Sequence, residues 1–368
     1  MKDAGRLTLE EKVGQLFFLG FQGRLPDYET RAILDVIRPG GFLILQRNIE
    51  SFDQIYELNK NLRTIFPIEP LLAVDQEGGR VDRLKHIFSA MPSMAELAAA
   101  GTAQMRIGAK LIASQLEVTG FNVNLAPVVD LDLTGSIVAE RAINRDPNEV
   151  ARLASAFVDE LSKRNVVACA KHFPGLGGAR TDPHFVLPRV DRTKRELQQE
   201  DVLPFLRLLD EAPMIMVSHA HYPALGDEKP TPASLSGRVI DGFLRRKLGF
   251  DGIVIPDDLT MGAVTTLGLT PDLFLRAFEA GNDMLVFSQT TPLAEQAFKF
   301  IVRAARTSAV VRKRVDESVD RILRLKSRIE FSPMRYRAHL HSRITRQIEK
   351  LRSGVTRLQI HQTVGREQ

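Results

Sequence analysis

The chain has 368 residues, 44% hydrophobic and 26% charged, enough apolar material for a large core without covalent staples. Its single cysteine, Cys169, excludes an internal disulfide framework, and no run of 18 apolar residues is present to span a membrane. The net charge of +5 is uneven: residues 303–368 hold 17 Lys/Arg against 6 Asp/Glu, a net of +11, which leaves −6 for the rest.

The opening residues, MKDAGRLTLEEK, have no apolar segment, so no secretory signal is expected and the cytoplasm is the expected compartment. Thr8 with Glu11 forms a capping-box pattern that starts a first short helix. Short, nearly continuous apolar runs then recur at 15–20, 41–45, 71–74, 123–128, 167–170, 214–218, 253–255 and 284–287. Such runs suit parallel strands covered on both faces. Helical stretches alternate with them at 27–37, 51–65, 93–118, 148–163, 194–209, 236–248, 270–280 and 291–306, and 315–328 closes the pattern. Eight strands in alternation with helices predict an α/β fold, a single (β/α)₈ TIM-type barrel over residues 1–330. An open doubly wound sheet is the alternative, weakened because no glycine-rich dinucleotide fingerprint follows the first strand. From 331 to 368 the sequence turns basic and carries little core, which predicts a C-terminal extension, helical or disordered. A basic tail attracts polyanions or anionic surfaces, but it is more often a solvated helix face, and no nucleic-acid partner is expected.

A barrel carries its site at the carboxyl ends of its strands, and polar residues gather just after the apolar runs. AVDQEGGRVDR supplies Asp75, Glu77, Arg80 and Arg83; VACAKHFPGLGGARTDPH supplies Lys171, His172, Asp182 and His184; VSHAH supplies His219 and His221; VIPDDL supplies Asp257 and Asp258. Each has a plainer role: Asp258 as a helix cap, His219 and His221 as satisfied polar groups, Cys169 as a core thiol. Together they suit glycosidic cleavage, which needs a carboxylate at the anomeric carbon and a proton donor at the leaving oxygen. Asp257 fits the first role. His184 fits the second, with Asp182 two residues back to orient the imidazole. Lys171 and Arg83 can hold sugar hydroxyls. Zinc held by His172, His184, His219, Asp75 and Asp257 is the competing chemistry, though no HExxH-like spacing is present.

From residue 7 to 326 the chain resembles family 3 glycoside hydrolases, in the β-N-acetylhexosaminidase branch. The resemblance rests on KHFPGLGGARTDPH above all, and on AVDQEGGRVDR, GFNVNLAPVVDL, ERAINRDP, HYPALGDEKPTPASLS, LRRKLGFDGIVIPDDLTMGAV and AGNDMLVFS. It implies that Asp257 is the nucleophile, His184 the acid/base and Asp182 its partner on a mobile loop. It further implies that Asp75, Arg83, Arg141, Lys171 and His172 bind the terminal sugar. The implied outcome is retention by double displacement on N-acetylglucosamine from muropeptide fragments, without metal or organic cofactor. At Leu176 the family usually has His, at Gly178 Asp, at Pro183 Ser, and before the nucleophile, at Pro256, Ser or Thr. A catalytically weakened sugar-binding homologue and a glycosyl phosphorylase are the alternatives.

Overall fold

The computed structural model describes residues 4–330, 334 and 336–364. Eight parallel strands form one sheet: β1 Phe17–Leu19, β2 Gly41–Ile44, β3 Leu71–Val74, β6 Val123–Asn124, β7 Val167–Phe173, β8 Met214–Val217, β9 Ile253–Pro256 and β10 Leu285–Phe287. Their order across the sheet is β10-β1-β2-β3-β6-β7-β8-β9. Every residue in them is buried, as continuous apolar runs require when helices cover one face and the barrel interior fills the other. A short antiparallel hairpin, β4 Gln76–Gly78 with β5 Val81–Asp82, follows β3.

The sheet is nearly closed into the expected barrel. Its seam lies between β9 and β10, where Asp283 replaces regular pairing. The Asp283 backbone N–H donates to the Val254 carbonyl at 2.7 Å, and its Oδ2 accepts from the Val254 N–H at 2.9 Å. Burial opposes ionisation of Asp283, but Arg245, Arg314 and Arg321 overcome it and hold the carboxyl below its ordinary value.

Three expected helices differ in detail. The stretch 93–118 is two helices, Met94–Ala99 and Thr102–Thr119, because Gly101 turns the chain with φ 101°, outside the range of ordinary side chains. The stretch 194–209 passes through a π-helical turn at Leu197–Asp201, just before Pro204, which has no N–H to donate. The stretch 236–248 is π-helical over Arg238–Lys247.

The expectation of little core in the basic tail is corrected. The 330/331 boundary itself runs into residues 331–333, which lie outside the described residues. Beyond it, Ala338–Val364 is one helix. Its Ile344, Ile348, Leu351 and Val355 are buried, a one-face spacing, and the helix packs on Thr102–Thr119. Composition reports the cations; the apolar stripe among them shows only at helical spacing. No helix is long and apolar enough to cross a membrane among the described residues.

Candidate active site

The carboxyl ends of β3 and β7 carry a buried ionic cradle. Lys171 lies in β7 and is 1% exposed. Its Nζ lies 2.7 Å from Asp75 Oδ1 and 2.7 Å from Glu77 Oε1. Glu77, in the hairpin, takes two parallel hydrogen bonds from Arg141, at 2.9 and 2.8 Å. Burial alone would raise the Glu77 carboxyl; Lys171 and Arg141 more than offset it and hold it at about 2. Burial likewise works against the Lys171 charge, and Asp75 and Glu77 raise its pKa despite it. Arg83 approaches Asp75 at 3.8 Å, and its buried Nε has no hydrogen-bond partner among the described residues.

His172 follows Lys171 across a cis peptide. Its Nδ1 lies 2.6 Å from Asp130 Oδ2, while Asp130 Oδ1 accepts from the backbone N–H groups of His172 (3.1 Å) and Leu176 (2.7 Å). The fully buried Asp130 therefore fixes the imidazole and the start of the next loop together.

Asp257 stands at the carboxyl end of β9, its backbone N–H donating to the Val217 carbonyl at 3.0 Å. Burial opposes its ionisation, but His172, His219, the Asp258 N–H and Lys171 outweigh that effect and keep its carboxyl below the ordinary range. An ionised carboxylate facing the cradle is the state a nucleophile needs. His219 is itself pushed towards the neutral form, first by burial. A neutral ring that donates from Nε2 to the Asp258 carbonyl (2.9 Å) must accept at Nδ1 from the Ser234 hydroxyl (2.7 Å). His219 thus steadies the peptide after Asp257 and is satisfied. Asp258 turns back on its own chain, accepting from Thr260 N–H at 3.0 Å. His221 accepts at Nδ1 from the Thr231 N–H. Cys169 is fully buried, and burial pushes its thiol pKa up, away from a nucleophile.

Asp182 and His184 lie on the loop after β7, and both are exposed, with side chains 47% and 66% accessible. His184 Nδ1 lies 2.7 Å from Asp182 Oδ1. The same oxygen accepts the His184 backbone N–H at 2.9 Å. Burial tends to raise Asp182, yet the His184 N–H, the imidazole and Arg80 lower it. The loop is bonded to the segment after Asp257: Gly262 N–H donates to the His184 carbonyl, and Ala263 N–H to the Pro183 carbonyl, both at 3.0 Å. The dyad and Asp257 therefore belong to two loops joined by backbone hydrogen bonds.

Three contributors were missed or left without a role. Asp130 was legible as the carboxylate that follows the run PVV. Glu77 was noted but not assigned. Arg47, after β2, donates to the Phe21 and Ser288 carbonyls, and burial lowers its pKa, with Asp258 opposing and Arg83 adding to the shift; no motif marks it in the sequence. Among the described residues, no three His, Cys, Asp or Glu side chains gather as a metal site.

A parallel barrel with a buried ionic cradle and an exposed His–Asp pair at its carboxyl-end mouth defines a barrel enzyme that handles a polar substrate. Residues 8–325 match the family model described as glycosyl hydrolase family 3 N terminal domain. The chain belongs to that family and is a glycoside hydrolase. It is similar to a beta-hexosaminidase of Pseudomonas aeruginosa, 37% identical over 278 residues, covering 75% of this chain and 82% of that protein. A beta-hexosaminidase of Idiomarina loihiensis is 33% identical over 263 residues, covering 70% and 79%. Among solved structures, a family 3 beta-N-acetylglucosaminidase from Paenibacillus superposes with TM-score 0.84 at 30% identity, covering 94% of this chain and 68% of that one. NagZ from Neisseria gonorrhoeae, in complex with zinc ion, gives 0.73 at 25%, covering 91% and 97%.

Proposed function

We propose that the protein removes terminal β-linked N-acetylglucosamine by double displacement, with residues 1–330 as the catalytic barrel and the chain from 331 onward as an addition to it. The observation that carries this reading is the pairing of two loops. One bears an ionised Asp257, the other an exposed Asp182–His184 pair, and their backbones are hydrogen-bonded.

In the first step Asp257 attacks the anomeric carbon and a glycosyl–carboxylate bond forms as the C–O bond to the aglycone breaks. The His184 imidazole, its Nδ1 against Asp182, gives the proton to the departing oxygen. In the second step the same imidazole takes a proton from water, which attacks the anomeric carbon and releases Asp257. Asp75, Arg83, Arg141, Lys171 and His172 hold the sugar. Arg83 supports this role most directly, because its buried Nε–H has no partner among the described residues. Two finer assignments complete the reading: the aglycone is a muropeptide fragment, from the branch resemblance, and the site of action is the cytoplasm, from that resemblance and the polar opening residues.

The test is product release from a 4-nitrophenyl N-acetyl-β-glucosaminide followed by proton NMR. The first product is expected to be the β-anomer of free N-acetylglucosamine. Initial α-anomer would overturn double displacement, and no release above the Asp257→Ala background, with muropeptides also intact, would overturn the hydrolase assignment for this substrate.

A further inference from the structure

The acid/base pair lies on an exposed loop, and the polar residues that the family usually has at positions 176 and 178 are here Leu176 and Gly178. The loop is nevertheless tied down along its length by backbone contacts. At its start, Leu176 is 2% exposed and its N–H bonds to Asp130 at 2.7 Å. The Ile137 N–H donates to the Ala179 carbonyl at 3.1 Å. At its far end, the His221 N–H donates to Pro188 and the Val190 N–H to His221. The middle, which carries the dyad, rests on Gly262 and Ala263. A Cβ added at Gly262 would lie 2.5 Å from the His184 carbonyl oxygen and 2.6 Å from the Phe185 carbonyl carbon and oxygen. These are backbone atoms, which cannot swing aside as a side-chain end can.

We infer that Gly262 is the seat of the acid/base loop: its missing side chain lets the His184 peptide dock and sets the imidazole at the height where it meets the leaving oxygen. Gly262 is a positioning residue that acts through His184. Pro183 belongs to the same device, since it presents its carbonyl to the Ala263 N–H from a backbone whose φ the ring restricts. Next to the seat, Phe185 and Val186 are 74% and 48% exposed, so side-chain burial from 182 to 186 is confined to Pro183, and the two backbone bonds share the docking with it. The inference rests on the reading of Asp182 and His184 as the acid/base pair.

Two variants test it. Gly262→Ala inserts the clashing methyl. Ala263→Pro removes one donor within the first turn of a short helix, where proline is tolerated. Gly354→Ala, in open space on the C-terminal helix, is the control. The readout is kcat/KM on two N-acetyl-β-glucosaminides, one with an alkyl alcohol leaving group and one with 2,4-dinitrophenolate, which departs without a proton. With the loop unseated, the alkyl glycoside is expected to lose about 30-fold or more and the dinitrophenyl glycoside less than about threefold. Trypsin cleavage after the exposed Arg180 is expected to quicken in both variants, with the melting temperature kept near wild type. Equal losses on the two glycosides, or unchanged activity and unchanged cleavage, would overturn the seat. If the wild type cleaves neither glycoside, the hydrolase reading fails, and the trypsin comparison still decides whether Gly262 docks the loop.

Discussion

The two halves of the mouth are built in opposite ways. The cradle of Asp75, Glu77, Lys171 and Arg141 is largely buried, each charge facing an opposite charge within 2.9 Å. The Asp182–His184 pair is exposed and its loop is held by backbone bonds at its middle. Charges buried together lose much if one is removed, because the survivors remain unpaired in a poor solvent. An exposed pair contributes little to stability but can move, and its protons exchange with water and substrate. On the proposed mechanism, the rigid half holds the polar ligand and proton transfer falls to the segment that can be unseated.

The largest expected effect lies on the boundary between the halves. Asp257→Ala should lower kcat by roughly 10⁴-fold or more without a change in melting temperature, since it removes the attacking group. His184→Ala should cost about 10²- to 10⁴-fold on glycosides with alcohol leaving groups and far less with dinitrophenolate. A thermal melt of the same variant should match wild type, given the exposure of the ring; a large destabilisation would break the contrast. Glu77→Gln should act the other way round, destabilising the fold by about 3–5 kcal/mol because Lys171 and Arg141 lose a buried partner. Urea unfolding checks this, and a cost near zero would show the cradle to be dispensable.

The pH dependence sharpens the same point. The folded carboxyl of Glu77 sits near 2, below its ordinary 4.5, so its stabilisation is present above about 4.5 and is lost as pH falls towards 2. Melting temperatures measured across that window should fall more steeply in wild type than in Glu77→Gln. The smallest effect is expected away from the mouth. Ile348→Ala, in the C-terminal helix, should cost about 2–3 kcal/mol and leave kcat unchanged.

The barrel was legible because eight apolar runs alternate with amphipathic stretches, and a strand buried on both faces leaves that signature in composition. Asp257 and Lys171 were legible because they stand at the ends of those runs, and His184 because the motif KHFPGLGGARTDPH carries it. Their pairing was not. That Glu77 joins Lys171 to Arg141 depends on a hairpin of two short strands, and Asp130 meets His172 across 42 positions of sequence. The C-terminal helix was obscured because its cations outnumber the four buried apolar residues that dock it. Gly262 looks like any glycine after a strand; only the approach of the His184 carbonyl shows what the absent side chain permits.

On the proposed mechanism, the carboxylate at 257 forms a bond to the sugar. An N-acetylglucosaminyl donor with a good leaving group and a fluorine that slows turnover, followed by peptic digestion and mass mapping, addresses it directly. A single glycosyl adduct is expected on the peptide holding Asp257, absent from Asp257→Ala. Leaving-group release with an adduct on another residue would contradict it.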